Sequence, residues 1–278
     1  MSKLFSPLTL RDLTLRNRTM VAPMCQYSSV DGFATDWHFV HLGRFGMGGF
    51  GLVMLEASGV LPEARITYGD LGIYKDEHIA PLARIVDFLH SQGAAVGIQL
   101  AHAGRKASTS VSWNGPEQLA TEEQRRKLGY EHWQPVGPSA ISHDPNDPDF
   151  QVPLALDRAG IDRVIAGFAA AARRADQAGF DTVEVHAAHG YLLNQFLSPL
   201  ANARTDNYGG SLENRMRLTL EVARAVRQAW PAGRPLFVRL SVIDGTEPSG
   251  WSLEDSVGLG RELRAVRIDV IDCSSSGL

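Results

Sequence analysis

The stretch Gly179-Phe-Asp-Thr-Val-Glu-Val-His186 decides the fold class of this chain. Its apolar, β-branched part predicts a strand over Thr182–His186. A helical pattern precedes it, with apolar side chains at the i, i+3, i+4 and i+7 spacing: Ile161, Val164, Ile165, Phe168 and Ala172. Gly179 stands where a C-terminal cap glycine is expected. The stretch therefore predicts a helix that leads directly into a buried strand.

The same alternation of helix and strand recurs along the chain. Nearly continuous apolar runs predict six strands: Thr19–Met24, Leu52–Ala57, Val96–Leu100, Thr182–His186, Leu236–Ser241 and Val270–Ser274. Longer helical patterns lie between them, which is typical of a parallel sheet in an α/β protein. Two architectures remain open on this pattern, a doubly wound sheet and a closed barrel.

Capping signals bound the later helices, and one long segment lacks any pattern. Ser211 is expected to cap a helix over Leu212–Trp230, and Ser252-x-x-Asp255 has the spacing of a capping box. We find no repeat or linker, so residues 1–278 are expected to form a single domain. The proline-rich stretch from about residue 105 to 153 is predicted to be a lid or subdomain over the sheet.

Composition excludes several classes of partner. The 278 residues are 44% hydrophobic and 21% charged, and 27 Lys and Arg against 31 Asp and Glu leave a net charge of −4. Without a basic surface, neither nucleic acid nor anionic lipid is an expected partner. Charged Arg11, Asp12 and Arg16 interrupt the N-terminus before an apolar run of signal-peptide length can form, and no stretch approaches the length of a membrane span, so we expect a cytoplasmic protein. Cys25 and Cys273 form no disulfide framework.

A glycine motif at Gly46–Gly51 resembles a dinucleotide-binding fingerprint. It fits G-x-G-x-x-G, but that fingerprint must follow a strand and open a helix. Here the glycines follow a predicted helix, about Asp36–Phe45, and precede a strand. We therefore interpret them as a tight turn from helix to strand.

Three protonatable side chains follow the fourth predicted strand: His186, His189 and Tyr191. In a barrel, active sites lie at the carboxyl ends of the strands. Histidine can donate a hydrogen bond to a developing oxyanion, and tyrosine can deliver a proton. Two alternatives stay open. The histidines could satisfy loop carbonyls, or they could bind zinc with a third ligand from Glu56, His102 or Asp244, although no spacing links these residues.

Three further side chains fall near strand ends: Cys25, Gln99 and Arg239. Each has a structural alternative, namely a small buried hydrophobe, an amide that satisfies a loop, and a structural ion pair. Taken singly, neither Gln99 nor Arg239 indicates function. The position of Cys25, two residues from Tyr27, is compatible with a thiol that faces a pocket.

Long motifs at these positions resemble the Old Yellow Enzyme family of FMN-dependent ene-reductases, in particular its thermophilic-like, xenobiotic-reductase subgroup with a cysteine beside the flavin. The motifs are Ala22-Pro-Met-Cys25-x-Tyr27, Thr35-Asp-Trp-His-x-Val-His-Leu42, Ile98-Gln-Leu-x-His102-Ala-Gly-Arg105 and an almost continuous run from Gly179 to Arg215. The resemblance extends from Leu4 to Gly277 and implies a TIM (β/α)8-type barrel with FMN across its mouth.

The resemblance also implies roles for individual residues. Pro23, Met24 and Cys25 would pack beside the flavin ring, with Ala57 lining it. Gln99 would hydrogen-bond the pyrimidine edge, and Arg239 would stabilise negative charge on the reduced flavin, which a nearby cation favours. His186 would also contact the flavin.

The substrate would be an enone or a similar activated alkene. His186 and His189 would bind its carbonyl oxygen, with help from Tyr27, and Tyr191 would protonate Cα after hydride passes from flavin N5 to Cβ. NADPH or NADH would reduce FMN in the same pocket, without a separate nicotinamide-binding fold.

The family barrel has eight strands and needs more than 278 residues here, because the long 105–153 segment takes up so many of them. At about 30 residues per βα unit, two missing units would need on the order of 60 more. We therefore expect about six of the eight strands in these 278 residues, with the FMN phosphate ligands beyond residue 278. The resemblance further implies a homo-oligomer, a dimer or tetramer. The alternatives are a metal-dependent barrel hydrolase, suggested by the histidine pair, and an inactive barrel that serves as a binding subunit.

Overall fold

The computed structural model describes residues 2–111, 132–147, 150–245 and 249–278. Its strands, in chain order, are β1 (Leu8–Leu10), β2 (Leu13–Leu15), β3 (Met20–Val21), β4 (Leu52–Gly59), β5 (Ala95–Ala101), β6 (Val136–Gly137), β7 (Leu154–Ala155), β8 (Thr182–Ala187), β9 (Leu236–Ser241) and β10 (Val270–Ser274). Its α-helices are α1 (Asp36–Met47), α2 (Ile79–Ser91), α3 (Arg158–Gln177), α4 (Leu192–Leu197), α5 (Leu212–Ala229) and α6 (Leu253–Ala265).

Six strands form one parallel sheet in the order β3-β4-β5-β8-β9-β10. The sheet is curled, because side chains from its two ends meet in one apolar cluster. In that cluster Met20 of β3 and Leu52 of β4 pack with Phe237 of β9 and Val270 of β10. A parallel sheet that curls with its helices outside is the architecture of a (β/α) barrel. The predicted barrel fold is confirmed.

The main core lies between the outer face of this sheet and the helices. Val53, Val96, Val183 and Val238 of the strands are fully buried there, together with Phe168 of α3. Every residue of β4 and β8 is buried. The continuous apolar runs in the sequence arise because these strands are covered on both faces.

The predicted strands agree with the observed ones to within two residues at each end, except at β3. Leu236–Ser241 and Val270–Ser274 are observed as predicted, whereas the prediction of Thr19–Met24 is wrong in extent because only Met20–Val21 pairs. Pro23 has no N–H to donate, and β3 has β4 as its partner on one side only. β10 also borders one neighbour, and alternate residues in it are exposed, contrary to the expectation of coverage on both faces.

The predicted capping signals are confirmed. The Ser211 side chain accepts from the Asn214 N–H at the start of α5, and Ser252 forms a capping box with Asp255 before α6. Gly179 follows α3 with φ of +89°. The Gly46–Gly51 segment joins α1 to β4, so its interpretation as a helix-to-strand turn is confirmed.

The amino-terminal hairpin β1–β2 was not predicted. Its Leu10, Leu13 and Leu15 pack with Leu52 and Met54 at the amino-terminal end of the sheet's inner face. The hairpin therefore covers the floor of the curled sheet.

Part of the predicted 105–153 segment lies outside the described residues, namely 112–131 and 148–149. Its described part contributes β6, which pairs with β7. A role for the segment as a lid stays a prediction. No helix in the described ranges is both long and apolar enough to cross a membrane.

Candidate active site

The carboxyl end of β8 brings three predicted residues together. The ring centroids of His186 and His189 lie 5.2 Å apart, and those of His186 and Tyr191 lie 5.1 Å apart, both pairs close to edge-to-face. His186 is the register partner of Arg239 on β9. These groups form one cluster at the mouth of the curled sheet.

A tight turn after β8 sets this geometry. His189 has φ of +59° and Gly190 has φ of +72°, two successive residues in the left-handed region. A side chain at position 190 would collide with the backbone of Gly277, so only glycine fits there. The turn is held by the His189 N–H, which donates to Ser241 Oγ at 2.9 Å. Tyr191 then occupies the N-cap position of α4, without a capping hydrogen bond from its side chain.

Both histidines are neutral at neutral pH. Burial, together with the charges of Arg239 and Lys106, lowers the pKa of His189 to about 4. Burial, then His189, Arg239 and Lys106, holds the pKa of His186 well below its usual value. The Ala188 N–H approaches His186 Nδ1 at 3.4 Å, which places the ring proton on Nε2. His189 Nε2 lies 2.6 Å from Ser274 Oγ.

Tyr191 remains protonated in this environment. Burial raises the pKa of its hydroxyl well above the usual value, and Cys25, Tyr27 and Asp70 raise it further. The Lys106 ammonium lies 5.2 Å from the Tyr191 ring centroid and donates to the carbonyls of His189 and Gly277 at 3.1 and 3.0 Å. The hydroxyl therefore keeps its proton, and a fixed cation lies over the ring.

The segment after β3 carries Cys25 and Tyr27 to the same pocket. The Cys25 thiol contacts the Ala57 backbone and Tyr27, and burial raises its pKa, with Asp70 and Glu56 adding to the increase. The thiol is therefore uncharged. Tyr27 adopts φ of +47°, an unusual conformation for a non-glycine residue.

A buried pair holds this segment in place. His38 of α1 lies with Nε2 2.8 Å from Glu56 Oε1, and both side chains are almost fully buried. The other Glu56 oxygen accepts from the Gln26 N–H, and His38 Nδ1 accepts from the Thr35 N–H at 3.0 Å. Glu56 therefore anchors the backbone between Cys25 and Tyr27.

Gln99 and Arg239 lie deeper on the inner face. Gln99 Nε2 donates to Glu184 Oε1 at 2.8 Å, and these two residues are register partners on β5 and β8. Arg239 Nε lies 3.4 Å from Asp272 Oδ2 on β10. That contact is an ion pair without hydrogen-bond geometry, so Arg239 Nε is buried without a hydrogen-bond partner. The second carboxyl oxygen of Glu184, Oε2, is also buried without a partner.

These residues fit the ring system of FMN. Two buried polar atoms without partners, one an N–H donor and one a carboxyl oxygen, indicate a site whose polar neighbour is a ligand. The Gln99 amide and the Arg239 cation match the polar pyrimidine edge of a flavin, and Cys25 and Ala57 supply a less polar wall. Of the other predicted flavin contacts, Pro23 is partly buried, whereas Met24 is 47% exposed and is not packed into the site by the described residues.

The proposed zinc ligands do not join the histidine pair. Glu56 pairs with His38, and Asp244 accepts from Ser198 and from the Trp251 N–H. Within the part of the chain that the structure describes, no three His, Cys, Asp or Glu side chains form a cluster that could hold a metal ion.

Four residues around the site were not predicted from the sequence, namely Glu184, Lys106, His38 and Asp70, and Glu56 was predicted only as a metal ligand. For Glu184 the signal was present, because it precedes His186 by two residues on one strand and so shares its face. For the other residues, no sequence spacing connects them to the site.

Comparisons with known proteins show the family of the chain. The sequence model of the NADH:flavin oxidoreductase / NADH oxidase family matches residues 3–278. An NADPH dehydrogenase of Bacillus cytotoxicus is 44% identical over 279 residues, which cover 100% of this chain and 72% of that protein.

Solved structures show the same fold. Morphinone reductase in complex with tetrahydroNAD superposes with a TM-score of 0.80 at 30% identity, over 98% of this chain and 74% of that one. The old yellow enzyme homologue from Zymomonas mobilis gives a TM-score of 0.80 at 27% identity, over 98% of this chain and 73% of that one. The chain therefore belongs to the NADH:flavin oxidoreductase / NADH oxidase family of FMN- and NAD(P)H-dependent oxidoreductases, the family of Old Yellow Enzyme.

Proposed function

We propose that this protein is an ene-reductase that uses NADPH or NADH to reduce the activated C=C bond of α,β-unsaturated carbonyl or nitro compounds. The observation that carries the proposal is the cluster of His186, His189 and Tyr191, whose rings lie 5.1 and 5.2 Å apart at the mouth. Two neutral donors beside a protonated phenol can bind an acceptor oxygen and supply a proton nearby.

The histidines bind the carbonyl or nitro oxygen of the substrate. Neutral imidazole N–H groups donate hydrogen bonds without adding a full charge, and those bonds strengthen as negative charge develops on the oxygen. Arg239 and Lys106 contribute positive potential at the same place and, after burial, are the causes that lower the pKa of His189 to about 4. Tyr27 helps to hold the oxygen from the segment that Glu56 anchors.

Tyr191 delivers the proton to Cα. Its raised pKa keeps the hydroxyl protonated until carbanion character develops on the substrate carbon. Lys106, 5.2 Å from the ring centroid, favours the tyrosinate that remains.

The ring of FMN would be held by seven residues: Gln99, Arg239, Ala57, Cys25, Pro23, Met24 and His186. When bound, FMN would supply the hydride chemistry that links oxidation of the nicotinamide to reduction of the alkene. Arg239 favours negative charge on the pyrimidine edge, and the uncharged Cys25 thiol affects the reduction potential. The cysteine supports membership of the thermophilic-like, xenobiotic-reductase subgroup, and a homo-oligomer is part of the same proposal.

The test is a turnover assay on the purified full chain supplied with FMN, NADPH or NADH, and 2-cyclohexenone. We expect nicotinamide oxidation that requires both FMN and the enone, with one cyclohexanone formed per nicotinamide. Asp162→Asn changes an exposed carboxylate that pairs with Arg158 on α3 and should behave as the wild type.

Other outcomes would identify the alternatives. FMN binding without any cyclohexanone would indicate an inactive binding subunit. Hydrolytic activity that a chelator removes, without flavin absorbance, would indicate the metal-dependent hydrolase.

A further inference from the structure

A carboxyl group without an assigned function lies at the inner end of the site. Glu184 is fully buried on β8, two residues before His186, and faces the same side of the strand. One of its oxygens accepts from Gln99 Nε2 at 2.8 Å, and the other has no hydrogen-bond partner. A buried carboxyl is costly, so its retention beside Gln99 calls for an explanation.

The contact with Glu184 determines which end of the Gln99 amide faces the ligand. An amide presents a donor nitrogen and an acceptor oxygen on opposite sides of one planar group. Because Glu184 accepts from the nitrogen, the Gln99 oxygen is turned away from Glu184. Without that contact, either end of the buried amide could face the pocket, because its oxygen and nitrogen ends are nearly the same in size and shape.

The pyrimidine edge of a flavin carries the N3–H donor between two carbonyl acceptors. A Gln99 amide with its oxygen directed to this edge can accept from N3–H, whereas a flipped amide would place N–H against N–H. We propose that Glu184 is a positioning residue for FMN, which holds the Gln99 amide so that its oxygen accepts from flavin N3–H. This inference rests on the proposed function, because it places FMN against Gln99.

The experiment follows the N3 proton directly, in the full chain loaded with FMN labelled with 15N at N3. In the wild type we expect an N3–H signal in NMR that exchanges slowly with water. In Glu184→Gln two amides face each other and can pair in either sense, so exchange should become about tenfold faster.

An exchange of the two side chains provides the matched control. In the double variant Gln99→Glu, Glu184→Gln, the amide at 184 donates to the carboxylate at 99, which again presents an acceptor to N3–H. Protection should therefore return, although both positions are mutated and the packing is perturbed at least as much as in the single variant.

The outcomes separate this inference from the proposed function. A wild-type N3–H that exchanges as fast as in free FMN would show that the flavin does not lie against Gln99, which overturns the placement and this inference with it. If N3–H exchanges equally slowly in the wild type and in Glu184→Gln, the role of Glu184 is overturned while the placement of the flavin against Gln99 stands. Failure of the double variant to regain protection would contradict the argument from amide orientation.

Discussion

The floor and the mouth of the curled sheet are built from the same strands but differ in chemistry. At the floor, Leu52 and Met54 of β4 meet Phe237 of β9 and Leu15 of the hairpin in an apolar cluster. Further along the same strands, the inner face is polar, with Gln99, Glu184, His186, Arg239 and Asp272.

The floor of the sheet contributes to the stability of the fold, whereas the mouth carries the ionisable groups of the candidate site. Burying apolar side chains at the floor stabilises the fold, at roughly 25 cal/mol for each Å² of apolar surface removed from water. The mouth lowers stability, because it buries ionisable groups. Burial shifts the pKa values of these groups, and such shifts are typical of functional sites. Variants at the mouth should therefore affect the reaction, and variants at the floor should affect unfolding.

The largest effect is expected from Tyr191→Phe at the mouth. Loss of the proton donor should slow alkene reduction about 10²- to 10⁴-fold. Reduction of bound FMN by NADPH should stay near the wild-type rate, because that step needs no proton from Tyr191. Stopped-flow absorbance of the flavin resolves the two half-reactions, and an equal loss in both would contradict the assigned role.

At the floor, Leu52→Ala should lower the free energy of unfolding by about 2–5 kcal/mol, because it leaves a cavity beneath the strands. Leu52 is 1% exposed, so little relaxation is available to fill the space. Urea unfolding measures the loss, and Leu52→Met, which conserves volume, should cost less than about 1.5 kcal/mol. Turnover by the folded protein should be unchanged. A Leu52→Ala variant with wild-type stability but impaired turnover would contradict the assignment of stability to the floor and of the reaction to the mouth.

Glu184→Gln should make the stability of the flavin-free protein less dependent on pH. Burial, followed by Asp272, raises the pKa of Glu184 from 4.5 to about 7. A carboxyl with a raised pKa contributes its full stability below pH 4.5 and loses it as the pH rises to about 7, because the unfolded chain ionises first. The variant lacks this loss, so its stability relative to the wild type should increase by about 3 kcal/mol between pH 4.5 and pH 8.

Denaturant unfolding at several pH values measures that difference. Asp162→Asn, at an exposed ion pair, should show a difference from the wild type that does not change with pH. A difference between Glu184→Gln and the wild type that likewise does not change with pH would mean that Glu184 ionises normally in the folded protein.

The smallest effect is expected from Cys25→Ser, which should shift the midpoint potential of bound FMN by about 30 mV without abolishing binding. The thiol is uncharged, so the change alters a dipole and polarisability and leaves the net charge as it was. Cys273→Ser is the matched control, because Cys273 is exposed on β10. An identical potential in both variants would place Cys25 away from the flavin.

Most of the framework was predictable from the sequence because it depends on local periodicity. The runs at Leu236–Ser241 and Val270–Ser274 became strands with those bounds, and Ser252-x-x-Asp255 formed the expected capping box. The errors occurred where a non-local neighbour decides the structure. Thr19–Met24 has the composition of a strand, but a single neighbouring strand and Pro23 limit its pairing to two residues.

The residues of the candidate site also divide into those that the local sequence predicts and those that it does not. His186, His189 and Tyr191 were predictable, because six consecutive residues and one turn determine their proximity. The anchor of the Cys25 segment was not, since His38 and Glu56 lie 18 residues apart on a helix and a strand. The contact between Gln99 and Glu184 joins residues separated by 85 positions.

The sequence by itself determined the order of strands and helices, the helix caps and the residue types at the strand ends, because these follow from hydrophobic periodicity and side-chain chemistry over short spans. Only the tertiary structure decided that the hairpin closes the floor, that Glu56 anchors the cysteine segment and that Glu184 orients Gln99. Those arrangements depend on which strands are neighbours and in what register, and pairing energies between distant segments leave no periodic signal in the chain.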